Sequence, residues 1–71
     1  MIRVGIHVPT GRDVYTDGRI LRACCGGDGD HDWLRGRQVP ASEVRSTLTD
    51  VDVRRVEYGA QVREAHRRTR P

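Results

Sequence analysis

The sequence predicts an α+β domain, a twisted antiparallel sheet of four or five strands that begins as an N-terminal meander and carries a basic C-terminal helix. Three observations predict it. Residues 2–8 alternate, with Ile2, Val4, Ile6 and Val8 on one face and Arg3, Gly5 and His7 on the other, the period of a half-buried strand. Asp17-Gly18 lies between two runs rich in Val, Tyr, Thr, Ile and Leu, and this dipeptide favours a type I′ hairpin turn, whose two central residues take positive φ. After Gly59, the run A-Q-V-R-E-A-H-R-R-T-R-P reads as a helix with Tyr58, Val62 and Ala65 along one side and arginine over the rest.

Taken in order, the first strand ends at Pro9, which lacks a ladder donor, and Thr10-Gly11 turns the chain into the hairpin. A two-residue loop there sets Thr16 opposite Arg19, Tyr15 opposite Ile20, Val14 opposite Leu21 and Asp13 opposite Arg22. One face then carries Val14, Leu21, Ala23 and Cys25; the other carries Tyr15, Ile20 and the Asp13–Arg22 pair. G-G-D-G-D-H-D follows as a loop. Residues 33–39, W-L-R-G-R-Q-V, read as a fourth strand with a bulge at Gly36, and Pro40 argues for an edge position. Ser42 and Glu43 suit a short helical turn that presents Val44 and Leu48 at i and i+4 as a cap over the meander. Residues 49–58 can be read as helix or strand. A helix puts Val51 and Tyr58 roughly opposite Val53 and Val56, with no single apolar stripe, so the density of β-branched residues favours a strand bulged at Arg54 and Arg55.

Seventy-one residues make one small domain, 1–71, with residues 59–71 as its basic helical tail. At this size folding buries only about 60% of the unfolded surface, so the core is marginal. Its large apolar residues are nine Val, three Ile, three Leu, Trp33 and two Tyr, with no Phe, a set that suits sheet. Trp33 is read as a core plug. All thirteen basic residues are Arg, and Lys, Phe and Asn are absent. That usage is expected of a high-GC bacterial or phage genome and calls for no special guanidinium chemistry. Charge is uneven: residues 1–53 hold seven Arg against eight acids, whereas residues 54–70 hold six Arg against Glu57 and Glu64. Such asymmetry suggests an anionic partner, nucleic acid or an acidic protein surface. No apolar run approaches the roughly 18 residues of a membrane-spanning helix, and the amino terminus lacks a signal-peptide layout, so a cytoplasmic location is expected.

The candidate chemistries are thin. Asp28, Asp30 and Asp32 alternate as in the opening of a calcium loop, but Trp33 stands where that loop needs Gly and Val39 where it needs a bidentate Glu. Cys24, Cys25 and His31, with His7 or His66, lack zinc-ligand spacing, and adjacent strand cysteines point apart, so neither a metal site nor an internal disulfide is expected. Cys25 reads as a small buried hydrophobe and Cys24 as a partly exposed thiol. Nothing local activates either thiol towards a histidine, and a chain this short has little room for a supported pocket, so no enzyme and no cofactor are expected.

What remains is the tail. Arg63, Arg67 and Arg70 at helical spacing, with Arg54, Arg55 and Arg68 nearby, are the candidate residues for neutralising phosphates or an acidic partner. The absence of Asn and of an aromatic cluster argues against base readout. The expected function is therefore a small non-enzymatic accessory or regulatory protein that binds nucleic acid through the Arg-rich C-terminal segment. The alternative is a protein-interaction module, an inhibitor of a host protein or part of an assembly. A sheet edge guarded only by Arg35, Arg37 and Pro40 also offers a route to a homodimer.

Overall fold

The computed structural model describes residues 2–25, 35–55 (backbone alone at 54 and 55) and 59–69. It has a four-stranded antiparallel sheet, β1 (Ile2–His7), β2 (Asp13–Thr16), β3 (Leu21–Ala23) and β4 (Val44–Ser46), in the order β3-β2-β1-β4. A 3-10 turn, Ala41–Glu43, leads into β4, and two helices follow, α1 (Asp50–Arg55) and α2 (Ala60–Thr69). The α+β arrangement with a C-terminal helix is therefore as the sequence predicts. The core is Val4, Val14, Leu21, Ala23, Val39 and Val44 from the sheet and its connections, closed by Val62 and Ala65 of α2, with Leu48 half-buried beside it.

The hairpin forms on a different register. Val14 pairs with Ala23, Tyr15 with Arg22 and Thr16 with Leu21, so the loop is the four residues 17–20 rather than two. Side chains of the loop explain the widening. Asp17 Oδ1 accepts the N–H groups of Arg19 (2.8 Å) and Ile20 (3.3 Å), while Thr16 Oγ1 donates to the Ile20 carbonyl (2.8 Å) and accepts the Gly18 N–H (3.0 Å). Four backbone groups are thus satisfied locally, which a two-residue turn would not require. Because the register slips by two, the faces survive: Val14, Leu21 and Ala23 are all buried. The expected Asp13–Arg22 pair does not form; Asp13 instead binds Arg3 at 2.9 Å.

In β1 the expected alternation breaks. A register shift between Arg3 and Gly5 against β2 places Val4 in a bulge, after which Gly5 and His7 face the core side. Ile6 is half-buried and Val8 is 64% exposed, whereas His7 is only 6% exposed. Gly5 is required there, because a Cβ would overlap the Arg45 carbonyl of β4.

Three other expectations change. Residues 35–39 form no strand: a single bridge joins Gln38 to Arg22, although Ala23 N–H reaches the Arg37 carbonyl (2.8 Å) and Val39 N–H the Leu21 carbonyl (3.0 Å). The turn after Pro40 is 3-10 and passes directly into β4, so Val44 is buried as a strand residue rather than a helical one. Residues 50–55, where the β-branched density favours a strand, are helix. A reciprocal cap decides it: Thr49 Oγ1 accepts the Asp52 N–H and Asp52 Oδ2 accepts the Thr49 N–H, both at 3.1 Å. Trp33, the acidic loop with Asp28, Asp30, Asp32 and His31, and Val56 to Tyr58 lie outside the described residues.

Both sheet edges are occupied at the positions described. The 37–39 segment runs along β3, and on β4 the Val44 N–H binds the Ala41 carbonyl while the Ser46 N–H binds Thr69 Oγ1 at 2.9 Å. Edge pairing with a second copy would have to displace these bonds.

Candidate functional site

Gly59 precedes α2, and at a φ of +84° its backbone lies against the Gly18 carbonyl at the hairpin tip, where a Cβ would overlap it. From there Val62 and Ala65, at i and i+3, are buried against β4 and the 3-10 turn, as the sequence spacing predicts. The same rotation sends Arg63, Arg67 and Arg68 outward, and all three are exposed. Glu64 holds two of them, Arg67 through Nη2 and Arg68 through Nε at 2.8 Å. The Arg68 hydrogen bond, aided by the Arg67 charge, holds the Glu64 carboxyl below the ordinary carboxylate range, against a smaller opposing cost of desolvation. Three arginines less one glutamate leave +2 on this surface whichever arginine Glu64 binds. Arg54 and Arg55 lie in α1, with side chains outside the description, and Arg70 lies beyond it.

A chain of polar groups ties this surface to the sheet. His66 stands between Ser46 of β4, whose Oγ is 3.0 Å from Nδ1, and Asp50 of α1, whose Oδ1 is 2.7 Å from Nε2. Ser46 Oγ also accepts the Leu48 N–H (3.1 Å), and Thr69 Oγ1 donates to the Ala65 carbonyl (2.8 Å) while accepting from Ser46. The residue types are those of a serine-hydrolase triad, but the ring nitrogens are in reverse order, with serine on Nδ1 and the acid on Nε2. Each group here joins β4, α1 and α2, which is a structural tie that orients α2. His7 forms a second tie, between Thr10 Oγ1 and Glu43 Oε1, each at 2.8 Å.

A separate cleft of about 280 Å³ opens at the end of the sheet where β1 leaves and β3 ends. Arg12, Arg35 and Arg37 line it together with Cys24 and Cys25. No carboxylate lines it among the described residues. Arg12 Nη1 donates to the Cys24 carbonyl at 3.2 Å, and Cys24 N–H continues the ladder to the Asp13 carbonyl at 2.7 Å. Both cysteines are half-buried thiols, so Cys25 is less enclosed than the sequence suggests. The sequence carries no sign of this cleft, because its arginines are brought together only by the path of residues 35–39 along β3.

No group of His, Cys, Asp and Glu suited to a metal ion occurs among the described residues, and none of their helices is long and apolar enough to cross a membrane. No family model matches the chain, and no curated protein or solved structure is significantly similar to it.

Proposed function

We propose that this chain is a small non-enzymatic accessory protein of a high-GC bacterium or phage, acting in the cytoplasm, that binds nucleic acid through its phosphates with the exposed face of α2. One observation carries the reading: the helix is docked by Val62 and Ala65 and tied through His66, which leaves Arg63, Arg67 and Arg68 exposed on a fixed support. Arg63 and Arg67 are one helical turn apart, so they can meet successive phosphates, and among the described residues Arg63 has no carboxylate partner. The helix has no Phe, Tyr or Trp on which bases could stack and a single amide side chain, Gln61, so the reading rests on phosphate contacts.

The test is fluorescence anisotropy with labelled duplex and single-stranded oligonucleotides. Three phosphate contacts on duplex predict an affinity that falls roughly 40-fold between about 50 and about 200 mM salt. The triple substitution Arg63→Gln, Arg67→Gln and Arg68→Gln should remove most of the binding at low salt while circular dichroism stays unchanged. Absent binding, or binding that the triple variant retains, would overturn the proposal.

A further inference from the structure

We propose that the cleft beside β3 is a thiol-exchange site selective for small anionic disulfides, which become attached to Cys24 or Cys25. This goes beyond the nucleic-acid reading and uses other residues. Arg12 is fixed through its Nη1 bond to the Cys24 carbonyl, so a guanidinium is anchored on the residue that carries one of the thiols. Arg37 lines the same cleft and makes neither a side-chain hydrogen bond nor an ion pair among the described residues, which leaves its planar fork of donors open to a carboxylate or other oxyanion. The buried Ala23 and Val39 supply apolar wall. A volume of about 280 Å³ suits a small molecule and not a protein segment.

The step is an exchange. A cysteine gives its proton to solvent, and its thiolate attacks one sulfur of R–S–S–R. The bond between the two reagent sulfurs breaks as the protein–S–S–R bond forms, and R–S⁻ leaves and takes up a proton. The cysteine is oxidised, the departing thiol is the reduced product, and the disulfide itself is the oxidant. The neighbouring thiol is poorly placed to displace the adduct, since adjacent Cα atoms are about 3.8 Å apart and a disulfide ordinarily needs at least about 4.4 Å. The mixed disulfide therefore accumulates. An R group bearing carboxylates is drawn in and held by Arg12 and Arg37; a cationic one is repelled.

The experiment follows the intact mass of the reduced full-length chain during reaction with oxidised glutathione (anionic), bis(2-hydroxyethyl) disulfide (neutral) and cystamine (cationic). Rates are divided by those of the same chain in urea, which keeps its net charge but has no cleft. The expected order is anionic, then neutral, then cationic, with about a tenfold gain for glutathione over the neutral reagent at low salt that shrinks as salt is raised. Arg37→Gln, at an exposed position without side-chain bonds among the described residues, should lower that gain several-fold, and adding Arg12→Gln and Arg35→Gln should abolish it. Equal normalised rates for the three reagents, a preference that persists once all three cleft arginines are replaced, or one that salt leaves unchanged would overturn the proposal. The wild-type salt series decides the matter even if a variant fails to fold.

Discussion

The face of α2 and the cleft beside β3 present the same side chain under opposite conditions. On α2 the arginines come from one short segment and stand out in water, two of them on the single carboxylate of Glu64, so their charge is diffuse and screened. In the cleft they come from residues 12, 35 and 37, one guanidinium is fixed on a carbonyl, and thiols form part of the wall. The first arrangement suits a long polyanion that meets several charges at once. The second suits one small anion held in place for reaction. Position relative to the core, more than the number of arginines, separates the two roles.

The comparison requires one core beneath both surfaces, and Leu21→Ala is the strongest way to break it. Leu21 is fully buried, so its truncation should cost about 3 kcal/mol. That is a large part of the roughly 4–10 kcal/mol expected of a domain this size. Urea denaturation should show the loss, with oligonucleotide binding and the anionic preference of the thiols failing at the same denaturant concentration. Val62→Ala is more selective: loss of two buried methyl groups should cost about 2 kcal/mol. Hydrogen exchange should show α2 amides opening before those of β2, with oligonucleotide affinity reduced and the thiol preference kept. Thr49→Ala removes the α1 cap and should lower stability by about 1 kcal/mol, read as a shift in melting temperature, without altering either surface.

The smallest effect belongs to Glu64→Gln. Removing the one carboxylate among the α2 arginines should raise oligonucleotide affinity about two- to threefold at low salt and scarcely move stability, because exposed ion pairs contribute little. Since the folded carboxyl of Glu64 lies below its ordinary value, its small contribution is present above about pH 4 and is lost as the pH falls through the folded value. Asp17 follows the same sign, held down first by the Arg19 N–H, and has no link to either arginine surface. The acid limb of a stability–pH curve should therefore become shallower in Glu64→Gln and remain partly present.

Much of the scaffold is legible in the residues. The buried sets Val14, Leu21 and Ala23, and Val62 and Ala65, follow from period and turn placement, because a register error of two leaves side chains on the same face. The phase of β1 after Val4 is not legible, since the bulge and Gly5 answer to the approach of Arg45, which is distant in the chain. Helix α1 had a local signal: T-x-x-D at Thr49 to Asp52 is a capping pattern, and it outweighs the β-branched Val51 and Val53. For the candidate sites the division is sharper. Arg63, Arg67 and Arg68 are adjacent enough for helical spacing to group them. Arg12, Arg35 and Arg37 converge only after residues 35–39 hydrogen-bond along β3, which no local pattern encodes.

The most direct test of the account is the slope of log affinity against log salt for duplex DNA, measured on the wild-type chain, the Arg63/Arg67/Arg68→Gln variant and the Arg12/Arg37→Gln variant. The account predicts that the α2 variant loses about 2 to 3 from the magnitude of the slope while the cleft variant keeps the wild-type value. An α2 variant with the wild-type slope, or a cleft variant that loses it, would contradict the assignment of phosphate binding to α2.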